Sequence, residues 1–496
     1  EIFAAFVTWK LKKPSKIVYT REETFTASNS RHEMKMHVKI GAKQNGEILA
    51  IDLHTLSNTG AYGEHGSTTV GLSGHKSLPI YNHMLASRFH FDVVYTNTMQ
   101  AGAYRGYGAT QGQFAVESAV NELAEALHLD PCELRFMNMV KEGEVMPQYY
   151  GEQLNACALD RCLKKAMDMI GWKEKGIVRD MGDKMRGLGV ALSMQGSGIA
   201  NVDIASVIIK LQDDGFYTLA IGATDMGTGC DTILAQMAAE CLECDVDQIV
   251  TQGVDTDASP YDTGSYASAT TYVTGMSVVK ACEVLKKQII EEAAVLMEVE
   301  KEHISFDGKK IYAIEDGKEM SLSDFANICF AGGKGACLIA NASHCSPTSP
   351  PPLMAGIAEV DVDKLTGEIT MVDYVAVVDS GTIINPNLAR IQVEGGIAQG
   401  IGMALYEDVT YSDTGKMRNN SFMQYKIPTR LDVGRIRVDF ESSYEDSGPF
   451  GAKSIGEVVI NTPSPAIASA VAHASGMHVR TLPITAEKVL LKQDED

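Results

Sequence analysis

A paired-strand pattern recurs three times along the chain. In each copy apolar and polar residues alternate, a turn containing Gly follows, and the alternation resumes before a loop of small residues. The copies are MHVKIGAKQNGEILAIDLHTLSNTG, SVIIKLQDDGFYTLAIGATDMGTG and GIAEVDVDKLTGEITMVDYVAVVDSG, with turn glycines at Gly46, Gly215 and Gly367 and a further Gly fourteen positions later at Gly60, Gly229 and Gly381. Period-two alternation on both sides of a Gly turn predicts three β-hairpins.

Amphipathic helices are predicted after several of these loops. Apolar residues recur there at three- and four-residue spacing, which is the period of a helix with one buried face. The predicted helices cover residues 112–127, 231–243, 275–298 and 392–406, and a last helix begins near Pro463-Ser464-Pro465. Hairpins mixed with helices in this order predict an α+β fold of mixed sheets and helices rather than a regular βαβ array.

The chain length predicts two tandem domains, because 496 residues exceed what one hydrophobic core usually supports. The charged stretch 173–184, KEKGIVRDMGDK, breaks the apolar pattern and predicts a boundary between residues 1–178 and 179–496. The Pro-rich stretch 347–352 is predicted to be a surface linker inside the second domain. The chain opens inside an apolar helical pattern, IFAAFVTWKL, so we expect a preceding segment to be missing.

Composition and charge narrow the possible partners. Apolar residues make up 45% and charged residues 22%, which is typical of a folded soluble protein. The formal charge is −21 without a block of clustered Lys and Arg, which argues against nucleic acid. No apolar run approaches the roughly eighteen residues of a spanning helix, so no membrane segment is predicted. The ten cysteines lack the density of a disulfide scaffold, which predicts a reducing, cytoplasmic compartment.

Five loops of Gly and small residues lead into predicted helices. They are AYRGYGATQG (103–112), TDMGTG (224–229), TGSYASATT (263–271), INPNLARIQVEGG (384–396) and KSIGEVVINTPSP (453–465). A helix N-terminus presents unpaired N–H groups and a partial positive charge, and Gly lets a ligand approach the backbone closely. The five loops together are therefore compatible with a large polar ligand held at several points. No nucleotide-binding fingerprint is present among them.

These loops stand in the order and at the separations found in the large subunit of molybdenum hydroxylases of the xanthine dehydrogenase and aldehyde oxidase family. The chain resembles that subunit over nearly its whole length, but the earlier GGxFGGK loop of the family is absent. The resemblance implies two tandem molybdopterin-binding domains, with residues 1–178 as the C-terminal part of the first and 179–496 as the second. It also implies a molybdenum–pyranopterin cofactor, either molybdopterin or its cytosine dinucleotide form, with no metal ligand from a protein side chain.

The same resemblance implies roles for individual residues. Contacts with the cofactor are implied for Arg105, Gly106, Met226, Gly227, Thr228, Ala267, Ser268, Thr270 and Gln392, and a contact with the substrate is implied for Tyr107. Glu457 matches the catalytic base of the family. Considered without the resemblance, a Glu near a helix start is better explained by its interaction with the helix dipole than by catalysis.

The implied activity is hydroxylation of an electron-poor carbon in an N-heteroaromatic ring, such as a purine- or nicotinate-like ring, with oxygen derived from water. The implied partners are a 2Fe-2S subunit and an FAD subunit, because the chain has neither clustered Cys nor a flavin fingerprint. A separate chain that carries the missing N-terminal molybdopterin segment is a further expected partner. Two alternatives stay open: an aldehyde oxidoreductase subunit, or a catalytically inactive scaffold.

Several positions of this sequence differ from the motifs of the family, and these differences indicate which substrates and cofactor contacts are expected. Family members that oxidise purines carry an Arg in the segment corresponding to residues 66–76, but GSTTVGLSGHK has none, which argues against xanthine itself. Tyr107 stands in place of one ring-stacking Phe, whereas the second such position falls in GSGIA (196–200), which has no aromatic residue. Gly106 replaces the Cys of relatives that oxidise carbon monoxide, which argues against a copper-bridged site. Thr228 replaces a more frequent Gln, which shortens or removes one contact with the cofactor.

Overall fold

The structure is a computed structural model that describes residues 2–315, 317–331 and 336–492. Its α-helices are α1 (Ile2–Leu11), α2 (Arg21–Ala27), α3 (Gly66–His75), α4 (Ala109–Ala126), α5 (Pro131–Asn138), α6 (Leu159–Ile170), α7 (Trp172–Lys175), α8 (Cys230–Leu242), α9 (Gly275–Met297), α10 (Leu322–Ala331), α11 (Pro386–Leu405), α12 (Pro463–Ser475) and α13 (Ala486–Leu491). In the part of the chain that the structure describes, no helix has the length and apolar content needed to cross a bilayer.

The strands lie between these helices in several small sheets. They are β1 (Glu33–Ala42), β2 (Ile48–Asn58), β3 (Ala86–Val94), β4 (Val145–Met146), β5 (Glu152–Gln153), β6 (Val178–Asp180), β7 (Lys184–Met194), β8 (Ile204–Leu211), β9 (Tyr217–Ile221), β10 (Ile249–Gln252), β11 (Ile304–Phe306), β12 (Lys310–Ala313), β13 (Lys318–Ser321), β14 (Ile339–Cys345), β15 (Leu353–Asp363), β16 (Ile369–Asp379) and β17 (Arg435–Phe440). The largest sheet has the order β17-β16-β15-β7-β6, and a four-stranded sheet has the order β10-β9-β8-β14. The predicted α+β class is confirmed.

The three predicted hairpins are present. Strands β1 and β2, β8 and β9, and β15 and β16 pair antiparallel. The turn residues Gly46, Gly215 and Gly367 have φ values of +95°, +89° and +72°, a conformation that Gly adopts without steric cost. The helices predicted from periodicity are also present, with α4, α8 and α9 beginning within three residues of the predicted positions.

The five-stranded sheet forms the centre of the molecule, with helices on both faces. One face of β7, β15 and β16 shares a core cluster with residues of β2, α4 and α6. The opposite face packs against α11 and α12 in another cluster. Because the first cluster combines residues from both sides of position 178, the two halves of the chain share one core. The predicted boundary at 178/179 falls at the start of β6 and stays a prediction.

Two local predictions from the sequence are wrong. The first is the extent of the loop at residues 384–396, because α11 already begins at Pro386, ahead of the helix predicted at residues 392–406. The side chain of Asn385 caps this helix by accepting a hydrogen bond from the Leu388 N–H at 3.1 Å. Gly395 and Gly396 in this segment suggested a loop, but a Cβ at Gly396 would collide with the Val459 side chain. Close packing against the segment before α12, rather than a turn, requires Gly at that position.

The second wrong prediction is the surface linker at residues 347–352. Ser349 is 2% exposed and residues 350–352 are buried beside β7. The Pro352 carbonyl accepts a hydrogen bond from the Gln195 N–H at 3.2 Å, and the Pro350 carbonyl accepts one from the Ser197 hydroxyl at 2.7 Å. Proline lacks an N–H group, so a Pro-rich segment can be buried with only its carbonyl groups to satisfy.

A fully buried ion pair ties the first half of the chain to the central sheet. Arg135 on α5 donates to the Glu117 carboxylate on α4 at 2.7 Å and 3.0 Å, and both side chains are 0% exposed. The same carboxylate accepts the Leu192 N–H of β7 at 2.7 Å and the Tyr81 hydroxyl. Several donors thus offset the desolvation of the charged pair.

Glu117→Gln is expected to destabilise the protein by about 3–5 kcal/mol, because it leaves the Arg135 guanidinium buried without a counter-ion. Urea unfolding of the complete protein measures this loss. Glu319→Gln is the matched control, because Glu319 pairs with Lys310 at an exposed position, where an ion pair contributes only about 0–1 kcal/mol. Equal effects of the two substitutions would contradict the structural role of the buried pair.

Candidate active site

Three distant loops meet at the carboxylate of Glu457. Its Oε1 accepts a hydrogen bond from the Gly106 N–H at 3.1 Å, and its Oε2 accepts one from the Ser268 hydroxyl at 3.0 Å. Gly106 precedes α4, Ser268 precedes α9, and Glu457 precedes α12. Glu457 is partly buried. The structure thus brings together residues from three of the five loops that the sequence singled out.

The first of these loops requires Gly106. Its φ is +86°, and an added Cβ would lie 2.8 Å from Asn461 Oδ1. Asn461 Oδ1 accepts a hydrogen bond from the Thr110 hydroxyl at 2.9 Å, which docks the first turn of α4 onto the segment that follows Glu457. The close approach of these two segments places the Gly106 N–H against the carboxylate.

Arg105 links the first loop to α11. Its Nε donates to the Gly456 carbonyl at 2.6 Å, and an Nη donates to Gln392 Oε1 at 3.1 Å. Burial lowers the pKa of Arg105, and the charge of Glu457 opposes this shift. No carboxylate lies within ion-pair distance of Arg105 among the described residues. Because Gln392 Oε1 faces Arg105, the amide N–H groups of Gln392 are left to donate to a ligand.

The loop before α9 is held in a strained conformation. Ala267 and Ser268 have φ values of +51° and +57°, which are unfavourable for residues with a Cβ. The carbonyl of Ser268 accepts a hydrogen bond from the Ser454 hydroxyl at 2.5 Å, and the carbonyl of Ala267 accepts one from the Gly198 N–H at 2.9 Å. These contacts hold the Ser268 hydroxyl towards Glu457.

The TDMGTG loop is closed by its own Asp225. One carboxylate oxygen accepts the N–H groups of Gly227, Thr228 and Gly229 at 2.8, 2.9 and 3.2 Å. These main-chain donors are therefore already used, contrary to the expectation that the helix N-terminus offers them to an anion. Met226, with 69% of its surface exposed, and Gly227, with no neighbour within 4 Å of an added Cβ, form an open surface instead.

The TDMGTG loop packs against α11, the helix that carries Gln392. A Cβ at Gly229 would lie 2.7 Å from the Leu388 side chain of α11. The Asn385 side chain also donates to Gln236 Oε1 of α8 at 3.1 Å. The predicted contacts Met226, Gly227 and Thr228 are therefore placed relative to α11, although none of them touches Glu457 through a hydrogen bond in the described residues.

A second buried ion pair involves Lys453, the first residue of the KSIGE segment. Lys453 donates to the Asp379 carboxylate at 2.9 Å, and both side chains are 0% exposed. Asp379 also accepts the Ala158 N–H at 2.8 Å and the Ser443 hydroxyl at 2.6 Å. Because Lys453 is four residues before Glu457, this satisfied pair fixes the start of the segment to the central sheet.

Tyr107 lies at the entrance to α4, with a φ of +26°. Its hydroxyl bonds to the His65 ring and to the Thr68 hydroxyl, the latter at 2.8 Å. The His65 and Tyr107 rings meet edge to face with centroids 5.5 Å apart. These contacts hold the ring in one orientation, which suits a rigid wall for a planar substrate.

The sequence analysis missed several residues around the site. Arg31 donates to the Arg105 carbonyl at 2.6 Å and lies over the Tyr104 ring, and Asn461 docks α4 as described. Lys76 ends the segment 66–76, in which only a missing Arg was noted, and it is 5% exposed. Arg31 and Lys76 stand among polar residues in the sequence, so nothing in the local pattern reveals that they are buried.

Comparison with known proteins identifies the family and the fold. The family model "Molybdopterin cofactor-binding domain" matches residues 1–139, and a second model with that description matches residues 163–434. The chain is 35% identical over 499 residues to a xanthine dehydrogenase molybdenum-binding subunit of Escherichia coli O157:H7, covering 99% of this chain and 66% of the relative. It is 31% identical to an aldehyde oxidoreductase molybdenum-binding subunit of the same strain, covering 99% of this chain and 65% of the relative.

A solved structure agrees with the fold. The crystal structure of quinoline 2-oxidoreductase from Pseudomonas putida 86 matches with a TM-score of 0.88 at 24% identity, covering 99% of this chain and 66% of that one. The fold and the site together define a molybdopterin-binding protein. The chain belongs to the xanthine dehydrogenase family of molybdenum hydroxylases, as the part that binds the molybdenum cofactor. It spans slightly less than two thirds of the length of these relatives.

The residues present fit a molybdenum–pyranopterin cofactor. The hydroxyl oxygens of Thr270 and Ser265 are buried without a hydrogen-bond partner in the described part of the chain, beside the loop of Ser268. A buried hydroxyl without a partner costs free energy, so a polar ligand is expected to satisfy these groups. Together with the Gln392 amide and the Arg105 charge, they offer the donors that a large, polar, anionic group requires.

Gly106→Ala is expected to destabilise the protein by at least about 1–2 kcal/mol, because φ is positive there and the Cβ would meet Asn461. Gly395→Ala is the matched control. Gly395 lies inside α11, and an added Cβ there has no neighbour within 4 Å, so Ala should stabilise the helix by about 1 kcal/mol. Urea unfolding measures the change in the free energy of unfolding of each variant, which should have opposite signs for the two substitutions. A Gly106→Ala protein that is more stable than the wild type would contradict the described conformation of the loop.

Proposed function

We propose that this chain is the catalytic, molybdenum-binding part of a hydroxylase that adds a water-derived oxygen to an electron-poor carbon of an N-heteroaromatic ring. The observation that carries the proposal is the Glu457 carboxylate, which the Gly106 N–H and the Ser268 hydroxyl hold beside the loops that fit the cofactor. The similarity to a xanthine dehydrogenase subunit supports an oxidoreductase of this type.

The cofactor would be held by residues from three loops and α11. Arg105 and Gly106 would contact it from the first loop, Met226, Gly227 and Thr228 from the second, Ala267, Ser268 and Thr270 from the third, and Gln392 from α11. When bound, the molybdenum cofactor supplies the two-electron redox chemistry of the hydroxylation. The protein itself then has to orient the substrate, exclude water and move protons.

Glu457 would accept the proton that leaves the water-derived nucleophile. Each of its carboxylate oxygens accepts one protein hydrogen bond, and each has a second lone pair that remains free for the proton. Both donors form hydrogen bonds with the carboxylate in its anionic form, which is the form that can act as a base. Because Gly106 is fixed by its neighbours, the carboxylate is positioned before the substrate binds.

Tyr107 would form one wall of the substrate site, since its hydroxyl bonds hold the ring in place. Segment 196–200 supplies no second aromatic wall, which favours a small ring and leaves an aldehyde as the second candidate substrate. The similarity to an aldehyde oxidoreductase subunit supports that second candidate. Electrons would pass to a 2Fe-2S subunit and an FAD subunit.

Glu457→Gln is expected to lower turnover by roughly 10²–10⁴-fold, because the amide cannot accept the proton but keeps nearly the same shape. The complete complex is assayed with nicotinate, purines and aldehydes side by side, and its molybdenum and pterin contents are measured. The cofactor content should stay at the wild-type level.

Glu394→Gln is the matched control for this substitution. Glu394 lies on α11 close to Gln392, but it pairs with Arg390 at an exposed position. Its replacement should leave both turnover and cofactor content unchanged. Wild-type turnover in the Glu457→Gln complex would refute the role of the base, and a wild-type complex without molybdenum and pterin would favour a scaffold protein.

A further inference from the structure

Three histidines lie side by side on the outer face of the sheet that β1, β2 and β3 form. His37 of β1 is paired with His54 of β2, and His54 is paired with His90 of β3. Successive side chains of a strand point to opposite faces of a sheet, and the other face of β2 carries the buried residues Ile51 and Leu53. The three histidines therefore share the face that is turned away from the core. The proposed mechanism does not use them.

The three imidazole rings lie within reach of one another and of the solvent. Neighbouring strands are about 4.7–4.9 Å apart, so side chains at paired positions are close neighbours. The rings of His54 and His90 are stacked, with centroids 4.3 Å apart and planes at 6° to each other. Their side chains are 38% and 52% exposed, and His37 is exposed as well. An ion can therefore approach this row of histidines directly from the solvent.

The hydrogen bond of His54 determines which of its nitrogens can bind a metal. Its Nε2 lies 3.0 Å from Asp92 Oδ2, and an ionised carboxylate can only accept a hydrogen bond, so Nε2 carries the hydrogen. In the neutral ring, Nδ1 then keeps its lone pair, and it makes no hydrogen bond within the described residues. A histidine that donates one N–H to a carboxylate while its other nitrogen binds the ion is the usual arrangement at metal sites.

The ring nitrogens of His90 and His37 are also available. His90 Nδ1 lies 4.0 Å from Asp52 Oδ1, which is too far for a hydrogen bond, and Asp52 accepts hydrogen bonds from Arg88 instead. In the part of the chain that the structure describes, His37 forms no side-chain hydrogen bond or ion pair. These two rings can therefore rotate about their side-chain torsions towards His54, whose ring is already held by a hydrogen bond.

The nitrogen ligands and the neighbouring charges restrict which ion these histidines can bind. The adjacent row on the same face has Lys39 and Arg88 on either side of Asp52, so the surroundings offer little net attraction for a cation. The affinity must come from the imidazole nitrogens, which suit Zn²⁺, whereas Ca²⁺ and Mg²⁺ require several oxygen ligands. Zn²⁺ also has no geometric preference from its d electrons, which suits rings that move into place.

We propose that His37, His54 and His90 bind one Zn²⁺ ion, with water as its fourth ligand. The ion would form bonds of about 2.0–2.1 Å to one nitrogen of each ring, in the tetrahedral arrangement that is usual for zinc. It would connect β1 and β3, the two edge strands of this sheet, through β2. Asp92 would act as a positioning residue, because its hydrogen bond fixes the hydrogen of His54 on Nε2. This zinc site is independent of the proposed hydroxylase function.

The test measures Zn²⁺ binding to the complete complex by equilibrium dialysis, which gives the number of bound ions and their affinity. Asp92→Asn should weaken binding at the site by roughly 10–100-fold, the usual effect of losing a carboxylate partner of a ligating histidine. His54→Gln removes a direct ligand, so the loss should be larger, and the complex should bind one Zn²⁺ fewer than the wild type.

His303→Gln is the matched control for His54→Gln. The His303 side chain is 39% exposed, and its Nε2 lies 3.4 Å from Glu315 Oε1, so it resembles His54 in exposure and in having a carboxylate partner. It directly precedes β11, in a different sheet, and no histidine is paired with it. Its replacement should leave the number of bound Zn²⁺ ions and their affinity unchanged.

X-ray absorption at the zinc edge identifies the ligands. The spectrum of the wild-type complex minus that of His54→Gln should show zinc bound to imidazole nitrogens, and His90→Gln should lose the same signal. Equal zinc numbers and affinities in the wild type, His54→Gln and His303→Gln would overturn the proposal. Zinc bound at this site through sulfur, or displaced from it by an about tenfold excess of Mg²⁺, would overturn it as well.

Discussion

Two hydrogen bonds to the Glu457 carboxylate, one from the Gly106 N–H and one from the Ser268 hydroxyl, hold together three loops that are far apart in the chain. Each donor is itself fixed. Gly106 packs closely against Asn461, and the Ser268 carbonyl accepts a hydrogen bond from the Ser454 hydroxyl. The Lys453 and Asp379 pair then anchors the segment of Glu457 to the central sheet. The position of the Glu457 carboxylate is therefore a property of the whole fold rather than of one loop.

Several of the charged side chains around the site are positive, although the net charge of the chain is negative. The formal charge is −21, yet Arg31, Arg105 and Lys76 gather around the loops that meet at Glu457. Burial lowers the pKa of Arg31 to about 10 and that of Lys76 to about 7, so desolvation of these cations is a real cost. A concentration of cations in an acidic protein favours anionic groups at this place, and the molybdenum–pyranopterin cofactor has that character.

The local patterns of the sequence predicted the hairpins and helices well, because period-two and helical alternation report directly on which faces are buried. Three of the five loops contain the residues that meet at Glu457. Features that depend on contacts between distant residues were not predictable. The glycines of α11 suggested a loop because their packing against Val459 is invisible in the sequence, and the buried stretch 347–352 resembled a linker for the same reason. Burial of Lys76 likewise arises only from tertiary packing.

The central claim is that Glu457 stands beside the molybdenum, within reach of the oxygen that it activates. An experimental structure of the complete complex with its cofactor tests this most directly, through the separation between the Glu457 carboxylate and the nearest ligand atom of the metal. The account predicts one hydrogen bond, or one bridging water, between them, while the Gly106 and Ser268 contacts persist. A cofactor separated from Glu457 by protein side chains, or bound without contact with Arg105 and Gln392, would contradict it.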